Sequence, residues 1–212
     1  MKASFIGIYG GTFDPIHYGH LSAASEVQQS LALDEVRMVL SAQPPHREQP
    51  VLSASDRFSL LTLALKDYQR LLADDCEMKR TGPSYMVDTL LHYRQQMPAS
   101  SVALILGVEA FNSLTSWYRW EKIIQLAHIV ITDRAGFDNQ IEQSLAEYVD
   151  PFLTGDKSQL KQLTHGKIYL QPVKPIDISA TQIRRLIKDR KPVKQLLPDV
   201  CEEEIKRQRF YT

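Results

Sequence analysis

The stretch Phe5-Ile6-Gly7-Ile8-Tyr9-Gly10-Gly11-Thr12-Phe13-Asp14-Pro15-Ile16-His17-Tyr18-Gly19-His20 runs from an apolar segment through a glycine turn into the stripe Leu21, Ala24, Val27 and Leu31. A short apolar run closed by glycines predicts a buried strand, and apolar residues three and four apart predict a helix. Gly10 and Gly11 let the backbone turn sharply and approach a ligand with no Cβ in the way. The helix that follows offers unpaired N–H groups and the positive end of its dipole. His17 and His20 bracket Gly19 at that helix start, and each can donate a hydrogen bond to a phosphate oxygen. The segment therefore reads as a phosphate loop. Other readings stand beside it: Gly10-Gly11 alone fits a plain turn equally well. Two histidines three apart also fit a metal pair, although only Asp14 stands nearby to complete a shell. Neither the GxGxxG of a dinucleotide fingerprint nor the GK[ST] of a Walker loop is present.

Outward from this segment, Ile- and Val-rich runs at 35–40, 72–78, 102–106, 128–132 and 167–171 join 4–9 as predicted strands, separated by stretches of helical period. Phe58, Leu61, Ala64 and Leu65 form one helical stripe, with Ser53 and Ser55 as cap candidates, and Ser84 is placed to cap a helix over 85–96. Residues 135–166 make too long a connection to lack structure, and Ile141, Leu145, Tyr148 and Val149 predict a helix inside it. Strands alternating with helices give an α/β fold, a Rossmann-like doubly wound parallel sheet. Its ligand site is expected at the carboxyl ends of the strands, where the strand order reverses. No repeat or linker divides the chain, so residues 1–212 are expected to form a single domain.

The bulk properties narrow the function classes. Lys plus Arg and Asp plus Glu balance at 25 each, so there is no basic field to draw nucleic acid. An anion must be met by a local site, and basic residues cluster between Arg184 and Lys194. Cys76 and Cys201 stand outside any CxxC spacing, which suits a reducing compartment. The first residues show no signal-peptide pattern, and the longest apolar run, over 102–108, is too short for a membrane helix. A cytoplasmic protein with no membrane contact is expected, as a monomer or small homo-oligomer.

A second element, Ile178-Ser179-Ala180-Thr181-Gln182-Ile183-Arg184-Arg185, follows the break at Pro175. Ser179 or Thr181 can cap a helix there, and Arg184 falls one turn inside, where its guanidinium can reach an anion at the helix start. Alone, this is also an ordinary cap followed by solvated arginines.

The first segment resembles the G-x-F-x-P-x-H-x-G-H signature of the nucleotidyltransferase superfamily. Six fixed residues would match by chance less than about once in 10,000 sequences of this length. The second element is similar to the I-S-[ST]-T-x-I-R motif of the same superfamily, with Ala180 in place of a hydroxyl residue. Further matches run along nearly the whole chain: Pro44-Pro45-His46-Arg47, Pro83-Ser84-Tyr85 with Asp88-Thr89-Leu90, Gly107-x-Glu109, and Trp117-Tyr118-x-Trp120-Glu121. Together they look like the bacterial nicotinate-nucleotide adenylyltransferase family. The resemblance implies a nucleotidyltransferase-type sheet and two substrates, ATP and nicotinate mononucleotide. It implies His17, His20 and Arg184 as the catalytic groups. For ATP it implies Gly10, Gly11, Thr12, Phe13, Gly107, Glu109, Ile178, Ser179 and Thr181. For the mononucleotide it implies His46, Tyr85, Met86, Trp117 and Tyr118, with Trp117 over the pyridine ring and the Tyr118 amide on its carboxylate. Core packing is the first reading for Trp120 and the second for Trp117.

Three positions depart from the family pattern. Met86 stands where threonine offers a hydroxyl and an amide, leaving only the amide. Glu109 is one methylene longer than the usual aspartate. The asparagine often found after the second strand is missing from Leu40-Ser41-Ala42-Gln43. Magnesium is expected to arrive as Mg-ATP, since no carboxylate cage is visible, and no protein metal site is expected. The rival readings are another small adenylyltransferase, acting on nicotinamide mononucleotide or phosphopantetheine, and a non-catalytic nucleotide-binding regulator.

Overall fold

The computed structural model describes residues 4–45, 49–133 and 143–212. Six strands, β1 (Phe5–Gly11), β2 (Glu35–Leu40), β3 (Leu71–Asp74), β4 (Ser101–Gly107), β5 (His128–Asp133) and β6 (Ile168–Pro172), form one sheet in the order β3-β2-β1-β4-β5-β6. Every pairing is parallel. This is the doubly wound sheet read from the strand and helix alternation. β4 is apolar on both faces, from Val102 to Leu106, because parallel strands are covered on both sides.

The helices are α1 (Tyr18–Leu31), α2 (Ala54–Ala64), α3 (Met86–Gln96), α4 (Val108–Asn112), α5 (Ile123–Leu126), α6 (Gln143–Val149), α7 (Gln159–Gln162), α8 (Ala180–Lys188) and α9 (Asp199–Gln208). Side chains alternate across the sheet into two apolar clusters. One gathers Leu21, Val27, Leu60, Ile105, Ile183 and Ile205, so α1, α2, α8 and α9 cover that face. The other gathers Ile6, Leu90, Leu104, Phe111, Ile124 and Val149, which α3 to α6 cover. Among the described residues no helix is long and apolar enough to cross a membrane.

Most strand ends fall within two residues of those expected, and two differences have a side-chain reason. The third strand begins at Leu71 and stops at Asp74 instead of continuing to 78. The Asp74 carboxylate accepts the Cys76 N–H at 2.9 Å and the Tyr93 hydroxyl at 2.6 Å, which turns the chain away from the sheet. At α3, Tyr85 rather than Ser84 precedes the helix. The Ser84 hydroxyl instead accepts the Gln43 N–H at 3.0 Å, and its own N–H donates to the Gln43 carbonyl at 2.9 Å, joining this loop to the end of β2. Ser53 caps α2 as expected, accepting the Asp56 N–H at 3.1 Å. The helix expected around Leu145 and Val149 forms as α6, while Ile141 lies outside the described residues.

At the amino ends of the strands, His128 is fully buried. Its Nδ1 accepts the Lys167 N–H at 3.1 Å, so the proton sits on Nε2, which donates to the Leu163 carbonyl at 3.0 Å. Burial pulls its pKa from 6.5 down to about 4. The folded chain resists the proton that the unfolded chain accepts. The neutral ring's contribution is therefore complete above about pH 6.5 and is lost as pH falls toward 4, by up to about 3 kcal/mol. His128→Asn keeps an acceptor for Lys167 without a titrating ring. Urea unfolding at pH 7.5 and pH 5 is expected to show a smaller loss on acidification in this variant than in the wild type; equal losses refute the assignment.

Candidate active site

β1 and β4 are neighbours at the centre of the sheet, and the chain winds outward from them in opposite directions. Their carboxyl ends therefore open a crevice between the helices that follow. His17 is the N-cap of α1, in extended backbone, and its carbonyl accepts the N–H groups of His20 at 3.0 Å and Leu21 at 3.2 Å. The His17 and His20 rings stack with centroids 3.7 Å apart, His17 buried and His20 half-buried. Phe13 meets His20 edge-on at 5.2 Å. Gly19 is fixed by this crowding: a Cβ there would lie 3.0 Å from the His17 ring and 3.6 Å from the Ile178 carbonyl. The start of α1 has fewer N–H groups to offer an anion than its sequence suggests, because the Tyr18 N–H already donates to the Leu196 carbonyl at 3.0 Å.

The second motif meets the first directly. Ser179 is the N-cap of α8, its Oγ accepting the Gln182 N–H at 3.1 Å, which settles the choice between Ser179 and Thr181. Arg184 donates from Nη1 to the Asp14 carbonyl at 2.7 Å and from Nη2 to Thr181 Oγ1 at 3.2 Å. Segments 170 residues apart are thus bonded to one another beside the stacked imidazoles.

The remaining candidates line the neighbouring strand ends. Gly107 precedes α4, and Glu109 folds back until its Oε2 is 3.2 Å from where a Gly107 Cβ would stand. The Phe13 ring covers Gly11, and the Met86 methyl lies against Gly10. Tyr85 and Tyr118 pack ring to ring with centroids 4.5 Å apart. Trp117 is half-buried against the second apolar cluster, and Trp120 packs edge-on to Tyr148 at 4.6 Å. Thr12 offers its carbonyl to Arg57 at 2.6 Å. His46 lies outside the described residues.

Arg57 and Tyr211 had no role in the sequence reading, which weighed Asp14 only as a metal ligand beside the histidines. Arg57 is only 1 % exposed. Its Nε donates to the Leu52 carbonyl at 3.1 Å, Nη1 to Thr12 at 2.6 Å and Ser41 at 2.8 Å, and Nη2 to Ala42 at 3.1 Å. One guanidinium thus fixes the chain just after β1 and just after β2. Burial lowers its pKa, and the nearby Asp14 carboxylate opposes that shift. The available signal was an arginine three and four positions before Leu60 and Leu61, on the buried stripe of α2. The Asp14 carboxylate accepts the Val51 and Leu52 N–H groups at 2.8 and 3.3 Å and the Tyr211 hydroxyl at 2.8 Å.

Residues 8–186 match the cytidylyltransferase-like family. Across 97 % of its length the chain is 42 % identical to a Methylococcus capsulatus protein named as a probable nicotinate-nucleotide adenylyltransferase, 99 % of which is covered. A protein of the same name from Halorhodospira halophila is 39 % identical over 94 % of this chain and 92 % of its own length. The nicotinic acid mononucleotide adenylyltransferase of Plasmodium falciparum, complexed with NaAD, superposes with a TM-score of 0.76 at 18 % identity, covering 98 % of this chain and 97 % of that one.

Replacing Arg57 by leucine leaves four half-buried carbonyls without this donor, each costing up to about 1–3 kcal/mol. Arg57→Leu is expected to lower unfolding free energy in urea by at least about 3 kcal/mol, with Arg57→Lys restoring only part because it lacks the planar fork. A loss below about 1 kcal/mol in the leucine variant would remove Arg57 from its place as organiser of the strand ends.

Proposed function

The chain belongs to the cytidylyltransferase-like family and, within it, to the nicotinate-nucleotide adenylyltransferases, and from that premise we propose that the crevice joins ATP to nicotinate mononucleotide, giving nicotinate adenine dinucleotide and pyrophosphate. The observation that carries the reading is the union of the two phosphate motifs, with Arg184 bonded to the loop that carries His17.

In this reaction a phosphate oxygen of the mononucleotide attacks the α-phosphorus of ATP, one P–O bond forms, and the bond to pyrophosphate breaks. The attacking phosphate has a second pKa near 6 and is largely dianionic at neutral pH, so no general base is needed. The protein's work is to align two anions that repel one another and to stabilise charge building on the departing oxygens. His17, His20 and Arg184 serve that charge, with the start of α8 and the Ser179 and Thr181 hydroxyls beside them. The Ser179 lone pair serves its own helix, so the hydroxyl meets an anion through its proton. Gly10, Gly11, Thr12 and Phe13 receive the adenylyl phosphate, Gly107 and Glu109 the ATP ribose, and Ile178 borders the adenosine. The mononucleotide lies toward Tyr85, Met86, Trp117 and Tyr118, with His46 assigned to it by its motif.

A divalent ion, magnesium in our reading, supplies charge neutralisation to ATP phosphates when bound. We read that ion as carried in by ATP rather than held by a protein cage. We read the chain as one domain acting in the cytoplasm, alone or as a small homo-oligomer, and without nucleic acid, in keeping with its balanced charge.

A pyrophosphate-release assay with nicotinate mononucleotide, nicotinamide mononucleotide and phosphopantetheine at equal concentration tests the reading. Highest kcat/KM for the nicotinate substrate is expected, and release with phosphopantetheine alone overturns it. In the same assay His17→Ala and His20→Ala should each raise the barrier by about 2–4 kcal/mol while weakening ATP binding far less. Near-normal turnover in a folded variant removes that histidine from the mechanism.

Met86 tests the pyridine end. An acid differs from its amide by a full charge, so backbone N–H groups at the start of α3 reward the carboxylate even without a threonine hydroxyl. Met86→Thr is expected to sharpen the acid-over-amide preference by no more than about 1.5–3 kcal/mol. An unchanged ratio of specificity constants shows that position 86 does not face the carboxylate.

A further inference from the structure

Tyr211 is a residue the reaction does not call for, yet the fold spends several features on placing it. Helix α9 ends with Arg209 in the left-handed region, φ 55°, and the Phe210 N–H returns to the Ile205 carbonyl at 3.0 Å. Tyr211 then takes a φ of 63°, again left-handed, which a residue with a Cβ adopts only under constraint. The result carries the Tyr211 ring into the apolar cluster and its hydroxyl to Asp14 Oδ1 at 2.8 Å. Burying the ring alone would not require that aim.

Asp14 is where this bond acquires a consequence. It lies three residues before His17, and its carbonyl is the acceptor that fixes Arg184 Nη1. Its carboxylate is 5 % exposed and needs each of its donors. Val51 N–H serves Oδ2 at 2.8 Å, while among the described residues Oδ1 has the longer Leu52 contact at 3.3 Å besides the tyrosine. Burial, then the charge of Asp14, push the Tyr211 pKa upward, so the phenol keeps its proton and donates. Removing the hydroxyl leaves a buried carboxylate oxygen with one long bond from the described residues, and the chain segment that moves to relieve it is the one carrying His17 and holding Arg184.

We propose that Tyr211 is a positioning residue for adenylyl transfer, which acts through Asp14 to hold the His17 loop and Arg184 in register. The inference rests on the adenylyl-transfer reading above and adds a residue 191 positions beyond His20 to its machinery.

The molecule supplies its own control. Tyr93 donates to the Asp74 carboxylate at 2.6 Å, another tyrosine–aspartate bond, half-buried at the end of β3, two strands from β1. Tyr211→Phe and Tyr93→Phe each delete one hydroxyl and keep the ring, so both should fold with similar falls in melting temperature. Tyr211→Phe should lower kcat about tenfold, as a small displacement of reacting groups does, with KM for ATP and nicotinate mononucleotide changed less than about threefold. Tyr93→Phe should leave kcat within about twofold of wild type. The imidazole proton and carbon NMR resonances of His17 and His20 should move in Tyr211→Phe and stay in place in Tyr93→Phe. Unchanged kcat with unmoved resonances in Tyr211→Phe overturns the proposal, as does an equal loss of kcat in both variants. An inert wild type overturns the adenylyl-transfer reading instead, and the imidazole spectra then decide the positioning by themselves.

Discussion

The guanidinium of Arg57 holds four backbone carbonyls, and the geometry at the carboxyl ends of β1 and β2 depends on it. A buried cation is costly unless its charge and its donors are both met. Here Asp14 supplies the opposing charge and the loop carbonyls take the donors, so a group that would destabilise an apolar core instead fixes three separate segments. The fixed segments are the ones a phosphate loop needs held: the turn through Thr12 and the loop after β2 that also bonds to Ser84. At the amino ends of the strands Arg94 repeats the device, donating to the carbonyls of Leu126, Ser100 and Thr164 at 2.6, 2.7 and 2.8 Å. Two arginines thus pin loops at the two ends of a parallel sheet whose strands supply no hairpins to do so.

This explains which parts of the molecule were legible in its sequence. Strand and helix positions were readable because burial imposes a period of its own on each element, whereas the segments around His17 and Ser179 stood out through their resemblance to a superfamily signature, since by themselves they also fit a plain turn and an ordinary helix cap. What escaped were contacts whose partners lie far along the chain. Arg57 reaches back 45 residues to Thr12, and Tyr211 reaches 197 residues to Asp14. Nothing local distinguishes that tyrosine from an ordinary apolar ring. The errors at β3 and at Ser84 share this origin, since Tyr93 and Gln43 recruited side chains that local propensity had assigned elsewhere.

The same long reach makes the candidate site rigid. Stacked imidazoles, a guanidinium bonded to a main-chain carbonyl and a capped helix start are each held by contacts within the chain. Donors that need no rearrangement as charge develops stabilise a transition state more than donors that must first be gathered. A site assembled from both ends of the chain has this property only if the ends are locked together, and the Asp14 carboxylate and carbonyl are where they lock.

The two halves of the crevice differ in this respect, and the difference separates reaction from substrate choice. The half we propose for the phosphates is anchored by buried groups: Asp14 is 5 % exposed, His17 5 % and Arg57 1 %. The half assigned to the pyridine is built from Tyr118, 49 % exposed, from its ring contact with Tyr85, and from the flexible Met86 against Gly10. Such aromatic and thioether surfaces adapt to a ligand at little energetic cost. A change in the buried half disturbs several bonds at once and is felt by the reaction itself. A change in the exposed half alters one contact with one end of one substrate. Departures from the family pattern fall in both halves: Met86 stands in the adaptable one, while Glu109, Ala180 and the Leu40-Ser41-Ala42-Gln43 loop held by Arg57 lie with the histidine signature, whose own residues are all retained.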